Sequence, residues 1–325
     1  MSGDMKVSIS MVTYNHEQFI AKAIDSVLMQ KTDFDYEIVI GEDCSRDGTR
    51  SIVLDYQRRY PDKIRLLLNE KNIGMHKNGV QTVQACTGEY VAMLEGDDYW
   101  TSPCKLQKQV DFLDEHRDCV ICFHNALLVH EDGSQQPYVY CPPDQNKFST
   151  IEDLLIKGNF LPTCSKMYRR SLLDKIPEWV FSLKMGDWPI DVLISRHGNI
   201  GYINEIMGEY RIHHSGVWFG MRQNWEELTK ANMDAYHKLY SVLEAKYKKI
   251  IRHVLHEQCV EISEKYDELG ELDKAKEFAG ISFTKHFIIS ARSFRLILKF
   301  YFPLLFQLFK SINRVTFAFN VSSSK

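Results

Sequence analysis

Between Val7 and Leu94 the spacing of apolar residues switches repeatedly between the period of a strand and that of a helix. This alternation restricts the fold more than any other feature of the chain. Val7–Val12, Tyr36–Ile40, Ile64–Leu68 and Tyr90–Leu94 are short apolar runs that predict strands. Glu17–Gln30 places apolar residues at 20, 21, 24, 27 and 28, the spacing of one buried helix face. Asp47-Gly48-Thr49 supplies a turn and a cap ahead of a helix over Arg50–Tyr60. A third helix is expected over Gly79–Cys86, after the Asn72–Gly74 turn. Strands and helices that alternate through short loops form crossover units and a mainly parallel sheet. Ligands of such sheets bind beyond the carboxyl ends of the strands. Three polar clusters fall at those ends: Thr13-Tyr14-Asn15, Glu42-Asp43 and Glu95-Gly96-Asp97-Asp98.

After Trp100 the pattern loosens into mixed sheet and loops. Leu106–His116 and Ile190–His197 predict helices, and Cys164–Tyr168 a strand. Val120–Val129 and Gln136–Tyr140 flank the hairpin signal Asp132-Gly133, while Gly201–Ile203 and Glu209–Ile212 read as two short extended pieces. Arg222 to Ala279 is charged and helical, with Gly270 separating two helices. The expected organisation is therefore an α/β domain over 1–221, a helical extension over 222–280 and a distinct tail over 281–325. From Ile281 onward there are seven Lys or Arg and no Asp or Glu, whereas the whole chain carries a net charge of −3. That balance does not suit a nucleic-acid binder. Leu296–Phe309 is too short to span a bilayer, which needs about 20 residues. With Arg292, Arg295, Lys310 and Arg314 around it, the tail reads either as an anchor on anionic lipid or as a terminal helix packed on the body. The eight cysteines form no dense disulfide framework. Cys119 and Cys122 sit in an apolar run and read as buried strand residues rather than a zinc or redox pair. The residues after Met1 are polar and offer no signal segment, so a cytoplasmic chain, peripheral on the inner membrane face if the tail binds lipid, is expected.

Asp97 and Asp98 are adjacent carboxylates at a strand end, an arrangement that can share a hard divalent cation such as Mg²⁺ or Mn²⁺ and bridge it to a diphosphate; an acidic turn is the plainer alternative. Asp43 can accept a hydrogen bond from a base or ribose, or simply be a solvated acid beside a helix cap. Thr13, Tyr14 and Asn15 can close over a base, or form a strand-to-helix loop with Asn15 as N-cap. Together, Val7-Ser-Ile-Ser-Met-Val-Thr-Tyr-Asn15, Glu42-Asp-Cys-Ser-Arg-Asp-Gly-Thr49, Asn72-Ile-Gly74 and Glu95-Gly-Asp-Asp-Tyr-Trp100 closely resemble the family 2 glycosyltransferases of the GT-A fold, in order and at plausible spacing. The resemblance covers roughly residues 5–220. It implies a Rossmann-like sheet that binds a nucleotide-diphosphate sugar. By resemblance Asp43 contacts the base, Thr13, Tyr14 and Asn15 line its pocket, Asp97 belongs to the metal motif and Asp98 is the direct metal ligand.

The family's usual inverting reaction needs a carboxylate to deprotonate the acceptor hydroxyl. Asp187, in Lys184-Met-Gly-Asp-Trp-Pro189, resembles the later acidic motif and is the expected base, with Asp191 as runner-up and an N-cap as the alternative role for Asp187. Trp100 and Trp188 are taken as substrate contacts, Trp188 by stacking on a sugar ring. In Tyr210-Arg-Ile-His-His-Ser215, Arg211 is expected to hold a phosphate and His213 to approach the metal, surface histidines being the alternative. The expected activity is metal-dependent transfer of a sugar, with UDP-sugar the favoured donor, to a glycan or lipid-linked acceptor in cell-surface polysaccharide synthesis. The competing expectation is an inactive nucleotide-sugar-binding or membrane scaffold protein on the same fold. The absence of a Gln-x-x-Arg-Trp motif argues for single addition. The absence of a Gly-rich loop after the first strand argues against a nucleotidyltransferase.

Overall fold

The computed structural model describes residues 5–214, 216, 220, 224–286 and 288–307. Two compact units divide the chain, one ending at Ala235 and the other beginning at Tyr236. The division falls inside the helix α8 (Trp225–Val242).

The first unit is built on a ten-stranded sheet of order β3-β2-β1-β4-β9-β6-β10-β5, with β7 beside β6 and β8 beside β10. β1 (Val7–Thr13), β2 (Tyr36–Glu42), β3 (Ile64–Leu68) and β4 (Tyr90–Glu95) run parallel. Helices α1 (Ile20–Leu28), α2 (Thr49–Arg59) and α3 (Met75–Ala85) make the crossovers. Val7, Ile9 and Met11 on one face and Ser8 and Ser10 on the other are all buried, as a strand sandwiched between helix layers requires. α1 buries Ile20, Ile24 and Val27 of the expected face together with Ala23, an i, i+3, i+4, i+7 set, while Ala21 and Leu28 are half-buried. The register aligns Thr13 with Glu42 and Val12 with Glu95, so the ends of three strands deliver their polar clusters to one edge of the sheet.

Beyond β4 lie β5 (Tyr99–Trp100), α4 (Lys105–Glu115), β6 (Cys119–His130), β7 (Tyr138–Val139), β8 (Phe148–Ser149), α5 (Ile151–Lys157), β9 (Met167–Arg169), α6 (Arg170–Leu173), α7 (Asp187–Ile194) and β10 (Asn199–Ile212). β6 and β7 pair antiparallel around Gly133, whose φ of 66° suits glycine in the turn. Cys119 and Cys122 are fully buried on β6. The two short pieces expected at 201–203 and 209–212 are one strand, β10, interrupted by register shifts between Ile203 and Gly208. The bulge hides the period-two signal. The strand expected from Cys164 is shorter, because Thr163–Ser165 forms a 3₁₀ turn before β9.

In the second unit, α9 (Ala245–Glu268), α10 (Leu272–His286) and α11 (Ala291–Tyr301) pack through Val260, Ala279 and Leu296. Arg292 pairs with Glu257 at 3.2 Å and Glu264 at 2.6 Å, and Lys299 bonds Asp267. Two of the tail's basic residues are thus spent on α9. Phe302, Leu304 and Leu305 remain exposed. No helix among the described residues is long and apolar enough to cross a membrane. The rest of the tail, 308–325, lies outside the described residues.

Candidate active site

The loops after β1 and β2 are stitched to each other. Asn15 N donates to Ser45 Oγ (3.0 Å), Arg46 N to Asn15 Oδ1 (2.8 Å), His16 N to Thr49 Oγ1 (2.8 Å) and Glu17 N to Asp47 Oδ2 (3.1 Å). Asn15 and Cys44 adopt φ of 55° and 59°, the two positive values at non-glycine residues among those described. Left-handed backbone outside glycine persists where the surroundings hold it, and such positions cluster at functional sites. Tyr14 is half-buried and Thr13 buried, its Oγ1 without a hydrogen-bond partner. Asp43 is buried and doubly engaged. Oδ1 accepts from Ile73 N (2.9 Å) and Asn69 Nδ2 (3.0 Å), and Oδ2 from Gly74 N (2.9 Å). It therefore clamps the 69–74 loop over the same edge, a role that spacing did not disclose.

At the end of β4, Gly96 lies where no side chain fits: an added Cβ would stand 2.7 Å from Thr13 Oγ1 and 2.9 Å from His16 Nδ1. The close approach brings the end of β4 and the β1 loop into contact at Gly96 and Asp97. Asp97 Oδ2 is 3.0 Å from His213 Nε2 and 3.6 Å from His16 Nε2. Asp98 Oδ1 accepts from Arg211 N at 2.8 Å. The other oxygens, Asp97 Oδ1 and Asp98 Oδ2, are buried with no hydrogen-bond partner. Burial, then the charges of Asp97 and Glu95, push Asp98 well above the carboxylate range. Burial would raise Asp97 too, but His16 and His213 bring it below its ordinary value. Burial, with Asp97 and Asp187 adding and Lys166 opposing, lifts Glu95 to about 8. Two orphaned oxygens in so negative a setting fit a hard cation. No group of three His, Cys, Asp or Glu among the described residues could hold one unaided, so further ligands must come from a bound molecule or water. His213, expected to approach the metal, stands beside the acidic pair through its contact with Asp97 Oδ2. Arg211 leaves Nη1 buried and without a partner, its guanidinium 4.9 Å from the Phe19 ring and 4.6 Å from that of Tyr99.

Asp187 opens α7 and is brought into the same cluster, since its charge is felt by Glu95, His76 and Tyr210. Asn159 Nδ2 donates to its Oδ2 at 2.8 Å. Asp191 does not suit the runner-up role: it is fully buried, with Lys166 Nζ at 2.6 Å and Tyr168 OH at 2.6 Å. Neither tryptophan is placed to contact a ligand. Trp100 is 1% exposed, its Nε1 bonded to Cys164 O and its ring covered by Lys105. Trp188 is 2% exposed with Nε1 on Leu154 O. Both are core residues, because β5 and α7 turn these rings inward. Residues that sequence reasoning passed over are His16, His76, Asn159 and Lys166. Only His16, directly after Thr13-Tyr14-Asn15, carried a positional signal.

The chain is 38% identical over 225 residues to an uncharacterised protein of Mycobacterium tuberculosis, Rv1520, a match covering 68% of this chain and 64% of that relative. TuaG of Bacillus subtilis, which bears the name "Putative teichuronic acid biosynthesis glycosyltransferase", is 27% identical over 227 residues, covering 67% of this chain and 85% of the relative. The crystal structure of Staphylococcus aureus TarS 1–349 in complex with UDP-GlcNAc superposes with a TM-score of 0.62 at 21% identity, over 86% of this chain and 81% of that one, which establishes the shared fold. Residues 8–177, a little over half the sequence, match the model of glycosyl transferase family 2, and the chain belongs to that family.

Proposed function

We propose that the protein transfers a sugar from a nucleoside-diphosphate donor, with a UDP-sugar favoured, onto a hydroxyl acceptor in cell-surface glycan synthesis, inverting the anomeric centre. The observation that carries this reading is the meeting of Asp97, Asp98 and Asp187 at one sheet edge, with two carboxylate oxygens orphaned. The name of TuaG supports the glycan class, and the TarS complex supports a UDP-sugar.

Thr13, Tyr14 and Asn15 would line the base pocket, with Asp43 holding its far wall through the 69–74 loop and offering a remaining lone pair to the base. A Mn²⁺ or Mg²⁺ ion would be held by Asp98 Oδ2 and Asp97 Oδ1, and when bound supplies charge neutralisation for the leaving diphosphate. Arg211, with its unpartnered Nη1, would bind a phosphate oxygen. Asp187 would accept the acceptor's hydroxyl proton as that oxygen attacks the anomeric carbon, while the bond from that carbon to the diphosphate oxygen breaks with its electron pair leaving on the nucleotide. Phe302, Leu304 and Leu305, with the basic residues beyond them, support a peripheral place at the cytoplasmic membrane surface.

The test is nucleotide release from UDP-, GDP- and dTDP-sugars with and without Mn²⁺, beside Asp98→Ala. Metal-stimulated release of one nucleotide, reduced about 100-fold or more in the variant, is expected. Failure of every nucleotide sugar to bind would leave a scaffold on this fold.

A further inference from the structure

Asp187 and Asp191 stand four residues apart on α7 and share one buried ammonium unequally. Lys166 Nζ is 2.6 Å from Asp191 Oδ2 and 3.5 Å from Asp187 Oδ2, and the lysine side chain is fully buried. Among the described residues, every hydrogen bond that reaches the Asp187 carboxylate falls on Oδ2: Asn159 Nδ2 at 2.8 Å, Thr163 Oγ1 at 3.5 Å and Lys166 Nζ at 3.5 Å. Oδ1 receives none from the described residues, and the side chain is 26% exposed. We propose that Lys166 is a positioning residue that, with Asn159, pins Asp187 through Oδ2 and leaves Oδ1 to meet the acceptor hydroxyl, while Asp191 takes most of the ammonium's charge. The proposal rests on Asp187 as the base.

The physical need for a second carboxylate is direct. A buried ammonium must be paired. Paired with Asp187 alone, it would close into a tight ion pair and occupy the carboxylate that has to meet the acceptor hydroxyl. Asp191 satisfies the lysine, supported by Tyr168, and lets the Asp187 contact stay long. The charged or titratable groups facing Asp187 are Lys166, Asp191, His76 and Glu95, with the phenols of Tyr168 and Tyr210. Lys166 is the one cation at hydrogen-bond distance among them.

The experiment uses the full chain carrying ¹³C at its aspartate carboxyls, with Asp187→Asn identifying the Asp187 signal. At one fixed pH, Asp191→Asn lets the released lysine close on Asp187, and the Asp187 carboxyl resonance moves. In the double variant Lys166→Met with Asp191→Leu, which leaves no unpaired buried charge, it moves in the opposite direction. Melting temperature and UDP binding check that each variant is folded. Alongside, UDP release from UDP-GlcNAc with Mn²⁺ and water as acceptor falls about tenfold in kcat in Asp191→Asn, with the KM for the donor unchanged. A carboxyl resonance that stays put in both folded variants overturns the proposal. Turnover that survives Asp187→Asn overturns the underlying base assignment instead, whatever the resonances do.

Discussion

Glu95 offers the sharpest test of the electrostatics at the sheet edge. Its carboxyl is raised from 4.5 to about 8, chiefly by burial, with Asp97 and Asp187 adding. A carboxyl raised in the folded state binds its proton more tightly there than in the unfolded chain. The fold therefore loses stability as pH climbs past about 4.5, and the loss stops growing above about 8. At pH 7 about 2.5 pH units of that window have been crossed, and at 1.36 kcal/mol per unit the penalty is about 3 kcal/mol. Replacing the acid by its amide removes it. Glu95→Gln in metal-free protein should gain up to about 3 kcal/mol at pH 7, more at pH 8.5 and close to nothing at pH 4. Urea titrations at the three pH values, in EDTA and again in Mn²⁺, measure the gain. Mn²⁺ should shrink it, because a bound cation offsets the same negative charge. A variant that loses equal stability at every pH would refute the reasoning, since Glu95 would then be a satisfied hydrogen-bonding partner rather than a crowded acid.

Gly96→Ala puts a Cβ 2.7 Å from Thr13 Oγ1 and 2.9 Å from His16 Nδ1. Overpacking of that kind costs about 1–3 kcal/mol, and the displaced β1 loop should weaken UDP binding about tenfold in calorimetry. Trp188→Phe breaks the bond to Leu154 O and should cost about 1–2 kcal/mol of stability. The KM for the donor should not change, whereas a ring that stacked on sugar would raise it.

Much of the site was legible because its parts are local. The period changes in the first hundred residues dictate parallel strands, and parallel strands deliver their terminal loops to one edge. Thr13, Asp43, Asp97 and Asp98 therefore had to be neighbours before any coordinate was known. Long-range partners were not legible. Nothing in the spacing says that the Asp43 oxygens accept from Ile73 and Gly74, or that Arg211 at the end of β10 and His213 just after it, more than a hundred residues later, bond Asp98 and Asp97. β10 reads as two fragments because its bulge breaks the alternation. The tryptophans illustrate the opposite error. An aromatic beside an acidic motif looks like a sugar platform, yet which way a ring turns is fixed by packing, and Trp100 and Trp188 turn inward. Asp187 and Asp191 lie one turn apart on the same helix, and the sequence ranks Asp187 first only by its resemblance to a motif. The physical reason for the difference is tertiary: a buried lysine is set close to Asp191, while an oxygen of Asp187 is left open.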